Sequence, residues 1–267
     1  MHNNPMVQYF IPALFILLYS SLLSANNNFS ISGQLLYFNY EEFSDTGASL
    51  NHETGFIPGI NLTYNRGDNH LDFTFSHGVV DYDGHTQAGA PHATETYETL
   101  YITSYQRLFP FNDGLDKNNY YTKIAHTFWQ RDIQANNGIN GLYEEYSWWS
   151  FEAGIQTMIF QNDNQNMSFE IGILHTLNGR IFIDLRNQGY GYPELSLGNR
   201  AGINMSLSFT SRTSDQQSIY FNIGYQHWKF GKSNSRTLFN GSSSITIFEP
   251  RSHSYHSNIS VGLINYF

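Results

Sequence analysis

The sequence predicts an all-β protein whose strands close into an antiparallel, up-and-down transmembrane β-barrel of about ten strands. Three observations predict this fold. Apolar and polar residues alternate with a period of two, the polar face carries small neutral side chains, and long and short connections mostly alternate along the chain. Alternation with a period of two is typical of strands whose two faces meet different surroundings.

Ten segments carry this alternation. They are residues 29–43, 54–65, 70–80, 96–107, 119–131, 145–160, 167–177, 199–211, 217–229 and 254–267. In the seventh segment, for example, Phe169, Ile171 and Ile173 alternate with Glu170 and Gly172. Each segment therefore presents one apolar and one polar face.

Two segments and two loops leave the strand number open. Segments 96–107 and 119–131 alternate less regularly, and eight strands is the alternative if they are misassigned. The stretches 180–185 and 244–248 are apolar enough to form hairpins, which would raise the number to twelve.

The polar face distinguishes a membrane barrel from a soluble sandwich. It consists of Ser, Gly, Asn, Thr and Gln, whereas the exposed face of a soluble sandwich normally carries charged residues. The segments are long enough to cross a membrane, which takes a tilted strand about 9–11 residues. Because an open sheet edge in lipid leaves N–H groups unpaired, the sheet is expected to close on itself.

The lengths of the connections also support a membrane barrel. Short connections lie at 66–69 and near 214–217 and contain turn-forming residues, whereas 81–95, 178–198 and 230–253 are long. Short turns on one side and long loops on the other are typical of bacterial membrane barrels. Both chain ends then lie on the side of the short turns, and the number of strands is even.

The N-terminus predicts a targeting segment. Residues 10–23 form an apolar run that is too short to span a bilayer, which takes about 20 residues. Ser24 and Ala25 follow, and the chain then becomes polar. This order of residues is typical of a secretory signal peptide. We therefore expect a signal peptide at 1–25 and a barrel domain at 26–267.

The composition excludes several classes of protein. Charged residues make up 13% of the chain, aromatic residues make up 16%, and cysteine is absent. A chain so rich in aromatic residues is not expected to be disordered, and one without cysteine has neither disulfides nor thiolate metal sites. The net charge of −9 argues against a nucleic-acid partner. We expect neither a cofactor nor a metal ion.

Together, the targeting segment, the alternating strands and the C-terminal run 259–267 resemble a small bacterial outer-membrane β-barrel, in the size class of the opacity proteins and omptins. Val261, Leu263, Tyr266 and Phe267 resemble the terminal strand signal that the barrel assembly machinery recognises. The resemblance implies a place in the outer membrane of a Gram-negative bacterium. It also implies contacts with membrane lipid, lipopolysaccharide, the assembly machinery and an extracellular ligand.

Charged residues on the predicted inner face suggest an ion-pair cluster in the lumen. Glu152 and Glu170 lie on adjacent strands, and a buried carboxylate without a partner is costly. Their predicted partners are Arg107, Lys123, Arg131 and Arg200. The cluster would act as a structural plug, and the alternative is a charged constriction in a narrow pore.

Aromatic residues predict an interface girdle. Trp129, Trp148, Trp149 and Trp228 all fall near the predicted outer ends of strands, and tryptophan favours the membrane–water interface.

Two catalytic or metal-binding interpretations are weak. Omptin-type proteases use two aspartates that face an Asp–His pair across the barrel mouth. Asp81 and Asp83 match the first pair in position, but loop 178–198 offers Asp184 without a histidine. On a strand, the spacing of His253 and His256 places the two rings on opposite faces, so they would not share a metal ion.

We therefore predict an integral outer-membrane barrel, not an enzyme, with a structural, adhesive or envelope-interaction role carried by its surface loops. A narrow porin for small polar solutes is the first alternative. A barrel enzyme of the omptin kind is the second.

Overall fold

The computed structural model describes residues 27–85, 89–111 and 118–267. The predicted signal peptide at 1–25 lies outside these residues and stays a prediction. In the part of the chain that is described, no helix is both long and apolar enough to span a bilayer.

Strands make up most of the described chain. In order they are β1 (Asn27–Phe43), β2 (Ser49–Arg66), β3 (Asn69–His85), β4 (Pro91–Pro110), β5 (Asn118–Ile133), β6 (Leu142–Gln161), β7 (Gln165–Asp184), β8 (Glu194–Ser196), β9 (Ala201–Ser214), β10 (Gln217–Phe230), β11 (Arg236–Phe239), β12 (Ser244–Ile247) and β13 (Arg251–Tyr266). A single 3-10 turn, Arg186–Gln188, follows β7.

Ten long antiparallel strands form a closed barrel, which confirms the predicted fold class and strand number. Each of β1 to β6 pairs with the strand that follows it in the chain. The barrel then continues through the pairs β7–β9, β9–β10 and β10–β13. The barrel closes where β1 pairs with β13, from Asn28 opposite Tyr266 to Phe43 opposite Arg251. This closure leaves neither terminal strand with an open edge.

The two apolar loop stretches add no strand to the barrel. Residues 180–184 are the last residues of β7, and β8 pairs with 180–182 of that strand. Residues 244–247 form β12, which pairs only with β11 in a separate hairpin. Both features extend the long-loop end of the barrel, which is the extracellular end because the chain ends lie at the other.

Large apolar side chains face outward and form a lipid-facing belt. The residues in the belt include Ile31, Leu35, Tyr37, Phe56, Ile60, Ile124, Phe151, Ile155, Ile171, Ile173, Ile219, Ile223, Ile259, Val261 and Leu263, all of them exposed. A continuous apolar surface of this extent is not stable in water but is solvated by lipid acyl chains.

The strands extend above the belt. On β1 the outward residues change from Leu35 and Tyr37 to Asn39 and Glu41, while Phe38 and Tyr40 stay fully buried inside. The hydrophobic core of the molecule therefore sits within the upper part of the lumen rather than between two sheets.

Candidate functional site: a plug across the lumen

An aromatic layer fills the lumen just above its middle. The indole of Trp129 stacks on Tyr146 with ring centroids 4.5 Å apart. Trp148 packs edge-on against Phe230 at 5.2 Å and lies 5.8 Å from Trp228. All five rings are buried, so the cross-section at this height is occupied by side chains.

This arrangement differs from the predicted girdle. Trp129, Trp148 and Trp228 face the lumen, and only Trp149 faces outward, where 45% of it is exposed. The physical reason is the period of the strand: Trp148 and Trp149 are neighbours and must point to opposite faces. Residues two apart share a face, so a lumenal Arg131 already requires a lumenal Trp129.

Arg131 is the centre of a buried ion cluster above the aromatic layer. Its guanidinium lies 2.8 Å from Glu53, 2.8 Å from Glu144, 3.3 Å from Glu42 and 4.0 Å from Glu98. Only 1% of the arginine side chain is exposed. A cluster so fully removed from water is stable only when nearly every donor and acceptor has a partner.

Aromatic residues bind both the arginine and a fifth carboxyl. The guanidinium lies over the ring of Tyr40, 4.5 Å from its centroid, and donates to the hydroxyl of Tyr146 at 2.8 Å. The hydroxyls of Tyr146 and Tyr40 donate to Glu249 at 2.7 and 3.1 Å. The Trp129 indole N–H donates to Glu98. The aromatic layer and the ion cluster are thus one unit, which we call the plug.

The plug contains more carboxyl groups than positive charges. Burial raises the pKa of Glu249 well above its usual range, and the neighbouring Glu42 and Glu144 raise it further. Glu249 therefore keeps its proton to a higher pH than a glutamate in water does. Glu53 Oε2 and Glu98 Oε1 have no hydrogen-bond donor among the described residues.

Extracellular loop residues seal the plug from above. Leu195 and Leu197, in and after β8, are buried against the core, as is Ile247 of β12. The Ser233 hydroxyl accepts a hydrogen bond from the Glu249 N–H at 2.8 Å, which fixes the loop carboxyl over the barrel. The lumen is consequently closed at its extracellular end.

A polar cavity of about 410 Å³ lies below the plug. Tyr121 donates to Glu152 at 2.5 Å and Asn204 donates to the same oxygen at 2.9 Å. Gln106 donates to Glu170 at 2.8 Å, and Lys123 lines the same space. The Tyr121 ring reaches Glu152 across Gly154 and Gly172, where any Cβ atom would collide with it.

The structure divides the predicted lumen charge cluster into three parts. Glu152, Glu170 and Lys123 line the cavity below the plug. Arg131 belongs to the plug, with other glutamates as partners. Arg107 and Arg200 are exposed outside the lumen, because Arg107 lies on the outward face of β4 and Arg200 lies at the upper end of the barrel wall.

Lys123 is expected to matter much less for stability than Arg131. The cavity around it is polar and wide enough for water, so Lys123→Met leaves its neighbouring carboxylates hydrated. We expect the free energy of unfolding to fall by no more than about 1 kcal/mol, as for a solvated ion pair. Urea titration of the refolded barrel measures this, and a loss as large as that of a plug residue would contradict it.

The aspartates and histidines considered for catalysis or metal binding do not come together in one site. Asp81 and Asp83 point away from the lumen on β3, on either side of the buried Tyr82, so they do not form an inward-facing pair. His253 faces outward and His256 inward, as their spacing predicts. The described residues contain no group of three or more histidine or acidic side chains arranged around a metal site.

The C-terminal run lies in the closing strand. Val261 and Leu263 are exposed in the lipid-facing belt. Tyr266 turns inward and donates to Ser218 at 3.1 Å, and the Phe267 N–H bonds to the Asn27 carbonyl at 3.0 Å. Recognition by the assembly machinery stays a prediction.

Sequence reasoning missed most of the plug. Glu42, Glu53, Glu98, Glu144 and Glu249 were not identified as lumenal, nor were Tyr40 and Tyr146. A usable signal was present: counting by two from Leu36 along β1 reaches Tyr40 and Glu42, beyond the length that a membrane strand needs.

These features define the class: a transmembrane β-barrel with a lipid-facing belt and a lumen closed by a buried plug. Such a belt places the protein in the outer membrane of a Gram-negative bacterium, since closed barrels with an apolar outer band are the strand proteins of that membrane.

Comparison with solved structures agrees with this fold. The outer membrane protease OmpT from Escherichia coli superposes with a TM-score of 0.50 at 8% identity, over 92% of this chain and 99% of that one. OprG from Pseudomonas aeruginosa scores 0.36 at 10% identity, over 91% and 96%. The NalP translocator domain from Neisseria meningitidis scores 0.41 at 9% identity, over 97% and 96%. No family model and no curated protein sequence matches the chain.

Proposed function

We propose that this barrel is a non-conducting outer-membrane protein that presents its extracellular loops on a rigid platform, in a structural, adhesive or envelope-interaction role. The plug carries the proposal. Trp129, Trp148 and the Arg131 cluster are buried across the lumen and connect the barrel walls above the membrane, which supports a lumen that does not conduct. Membrane lipid and lipopolysaccharide are the expected surroundings, with the barrel assembly machinery and an extracellular ligand as further partners.

The extracellular hairpin is the segment best placed to bind a ligand. Phe239, at its tip, is 69% exposed, whereas Ile247 at its base is buried in the plug. The base thus fixes the hairpin while the tip remains accessible. Cells that express Phe239→Ser are expected to attach less well to host cells or surfaces, with Thr237→Ser, at an exposed position of the same hairpin, as the control. Unchanged attachment in both variants would count against an adhesive role for this hairpin.

A narrow porin is the second candidate, and the polar cavity below the plug favours it. The walls of that cavity resemble those of a solute pathway, with Ser, Thr and Asn side chains. Liposome swelling in small sugars separates the two functions. We expect no swelling above that of protein-free liposomes, and swelling would favour the porin.

We also propose that the protein is not an enzyme. The outward position of Asp81 and Asp83 supports this, because the two carboxylates do not face a shared cleft. An Asp83→Ala strain is expected to keep its lipid and peptide substrate profiles unchanged. A changed profile would restore the enzyme interpretation.

A further inference from the structure

A strip of basic side chains lies on the outer wall of the barrel, directly above the lipid-facing belt. We define the basic strip as His227 and Lys229 of β10 and Arg251 and His253 of β13. All four point away from the lumen, because their neighbours Trp228, Phe230, Ser252 and Ser254 are buried. The strip is therefore part of the surface that meets the membrane or the solution just outside it.

The strand register fixes the height of the strip. On β13 the belt ends at Ile259, and Ser257 stands opposite Tyr37 and Tyr225. Tyrosines favour the interface between acyl chains and headgroups. Two residues further up, Tyr255 stands opposite His227, and His253 then stands opposite Lys229. At about 3.3 Å per residue, the strip begins within the thickness of a headgroup layer.

Ring contacts hold the strip in one arrangement. The His227 and Tyr255 rings are stacked, with centroids 4.4 Å apart and an interplanar angle of 1°. The His253 Nδ1 atom lies 3.2 Å from the Tyr255 hydroxyl, and the Arg251 guanidinium lies over the Phe43 ring at 5.9 Å. A preformed surface loses less side-chain entropy on binding than separate mobile side chains would.

The charge of the strip differs from that of the rest of the outer wall above the lipid-facing belt. The chain has a net charge of −9. Asp81 stands opposite Glu95 on the outer wall of β3 and β4, and Asp83 is exposed beside them. One carboxylate lies beside the strip: Glu41 of β1, which stands opposite His253 of β13. The outer wall above the belt is therefore acidic at β3 and β4 and basic at β10 and β13.

We propose that the basic strip binds the phosphate groups of an outer-leaflet glycolipid headgroup. This inference rests on the proposed function for one point only, the position of the barrel in an outer membrane. Lys229 and Arg251 supply fixed positive charge, and the Arg251 guanidinium matches phosphate oxygens in geometry. The lipid-facing belt directly below contacts the acyl chains of the same lipid, so one lipid molecule binds both the strip and the belt.

The test uses the refolded full chain in a neutral detergent, titrated with diphosphorylated lipid A and followed by native mass spectrometry. Dephosphorylated lipid A and inorganic phosphate are titrated in parallel. We expect the diphosphorylated lipid to bind, its dephosphorylated form to bind more weakly, and inorganic phosphate not to compete at the same concentration. Full competition by inorganic phosphate would overturn the lipid assignment and indicate a free-anion site.

The double variant Lys229→Gln/Arg251→Gln is expected to weaken lipid binding by about thirtyfold, from the attraction of two cations near an anionic surface. Lys232→Gln is the matched control, because Lys232 lies three residues from Lys229 but pairs with Asp45 at 2.8 Å. Wild-type affinity in the double variant would overturn the inference. A conducting wild-type barrel with intact lipid binding would instead contradict only the proposed function.

Discussion

Arg131→Met is expected to cause the largest loss of stability of any single substitution in this barrel. Methionine fills a similar volume but leaves Glu42, Glu53, Glu98 and Glu144 without their shared cation, which lies within 4.0 Å of each. Removing one partner of a buried ion pair costs about 3–5 kcal/mol, and here one partner serves four carboxyls. Urea titration of the refolded barrel measures the change.

The stability lost in Arg131→Met should depend on pH and be larger at the higher pH. A carboxyl such as Glu249, whose folded pKa is raised, binds its proton more tightly in the folded than in the unfolded state. Its contribution to stability is therefore present at low pH and falls as the pH rises from the ordinary glutamate value through the raised one. Without Arg131, protonation is the remaining way to neutralise the cluster.

We therefore expect Arg131→Met to be partly rescued at pH 5 relative to pH 8. Arg186→Met is the control, because Arg186 is 53% exposed and pairs with Asp184 in a surface turn. This control should lose much less stability than Arg131→Met at either pH, because an exposed ion pair contributes little. Equal small losses in the two variants would show that Arg131 is not the centre of a buried cluster.

The double variant Trp129→Ala/Trp148→Ala is expected to open the lumen to water. The two indoles are buried side by side, with centroids 6.4 Å apart, and removing both leaves a space large enough for water beside polar groups. The chain contains no cysteine, so Ser150→Cys introduces a single reactive thiol in the cavity below the plug.

In the wild-type background, a membrane-impermeant maleimide should label this cysteine from the periplasmic side only. In the double variant, the labelling rate from the extracellular side should rise by at least about tenfold, as water gains access. Trp149→Ala is the matched control, since the side chain of Trp149 faces lipid.

Each buried indole is also expected to contribute about 3–5 kcal/mol to stability, so the single variant Trp148→Ala is used if the double variant does not refold. Labelling from both sides in the wild type would contradict the plug.

The sequence predicts the barrel well because strand period and lipid exposure are local properties. Ile171 and Ile173 alternate with Glu170 and Gly172 whatever the strand pairs with, and the predicted segments correspond to the ten barrel strands. Most of the predicted strands are too short at their extracellular ends, and a few, such as β4 and β9, are also two or three residues too short at the opposite end. At β6, for example, the alternation predicts a strand from residue 145, although the strand starts at Leu142 and includes Glu144 of the plug.

The site could not be predicted in the same way, because it depends on the barrel cross-section. Glu42, Glu98 and Glu249 are far apart in the chain, and they come together around Arg131 and Tyr146 only after closure. The predicted tryptophan girdle is wrong for three of its four members, because strand parity and not residue type decides which face of the barrel a side chain lies on. Parity relative to a known lumenal residue such as Glu152 would have placed Trp148 inside.

Single-channel recording of the refolded wild-type barrel in a planar bilayer tests the closed lumen most directly. A heat-modifiability gel on the same sample confirms that the protein is folded before it is added. We expect a folded barrel that gives no stable conductance steps, because the plug removes the water path. Reproducible open steps from the folded wild-type protein would contradict the plug and identify the barrel as a pore.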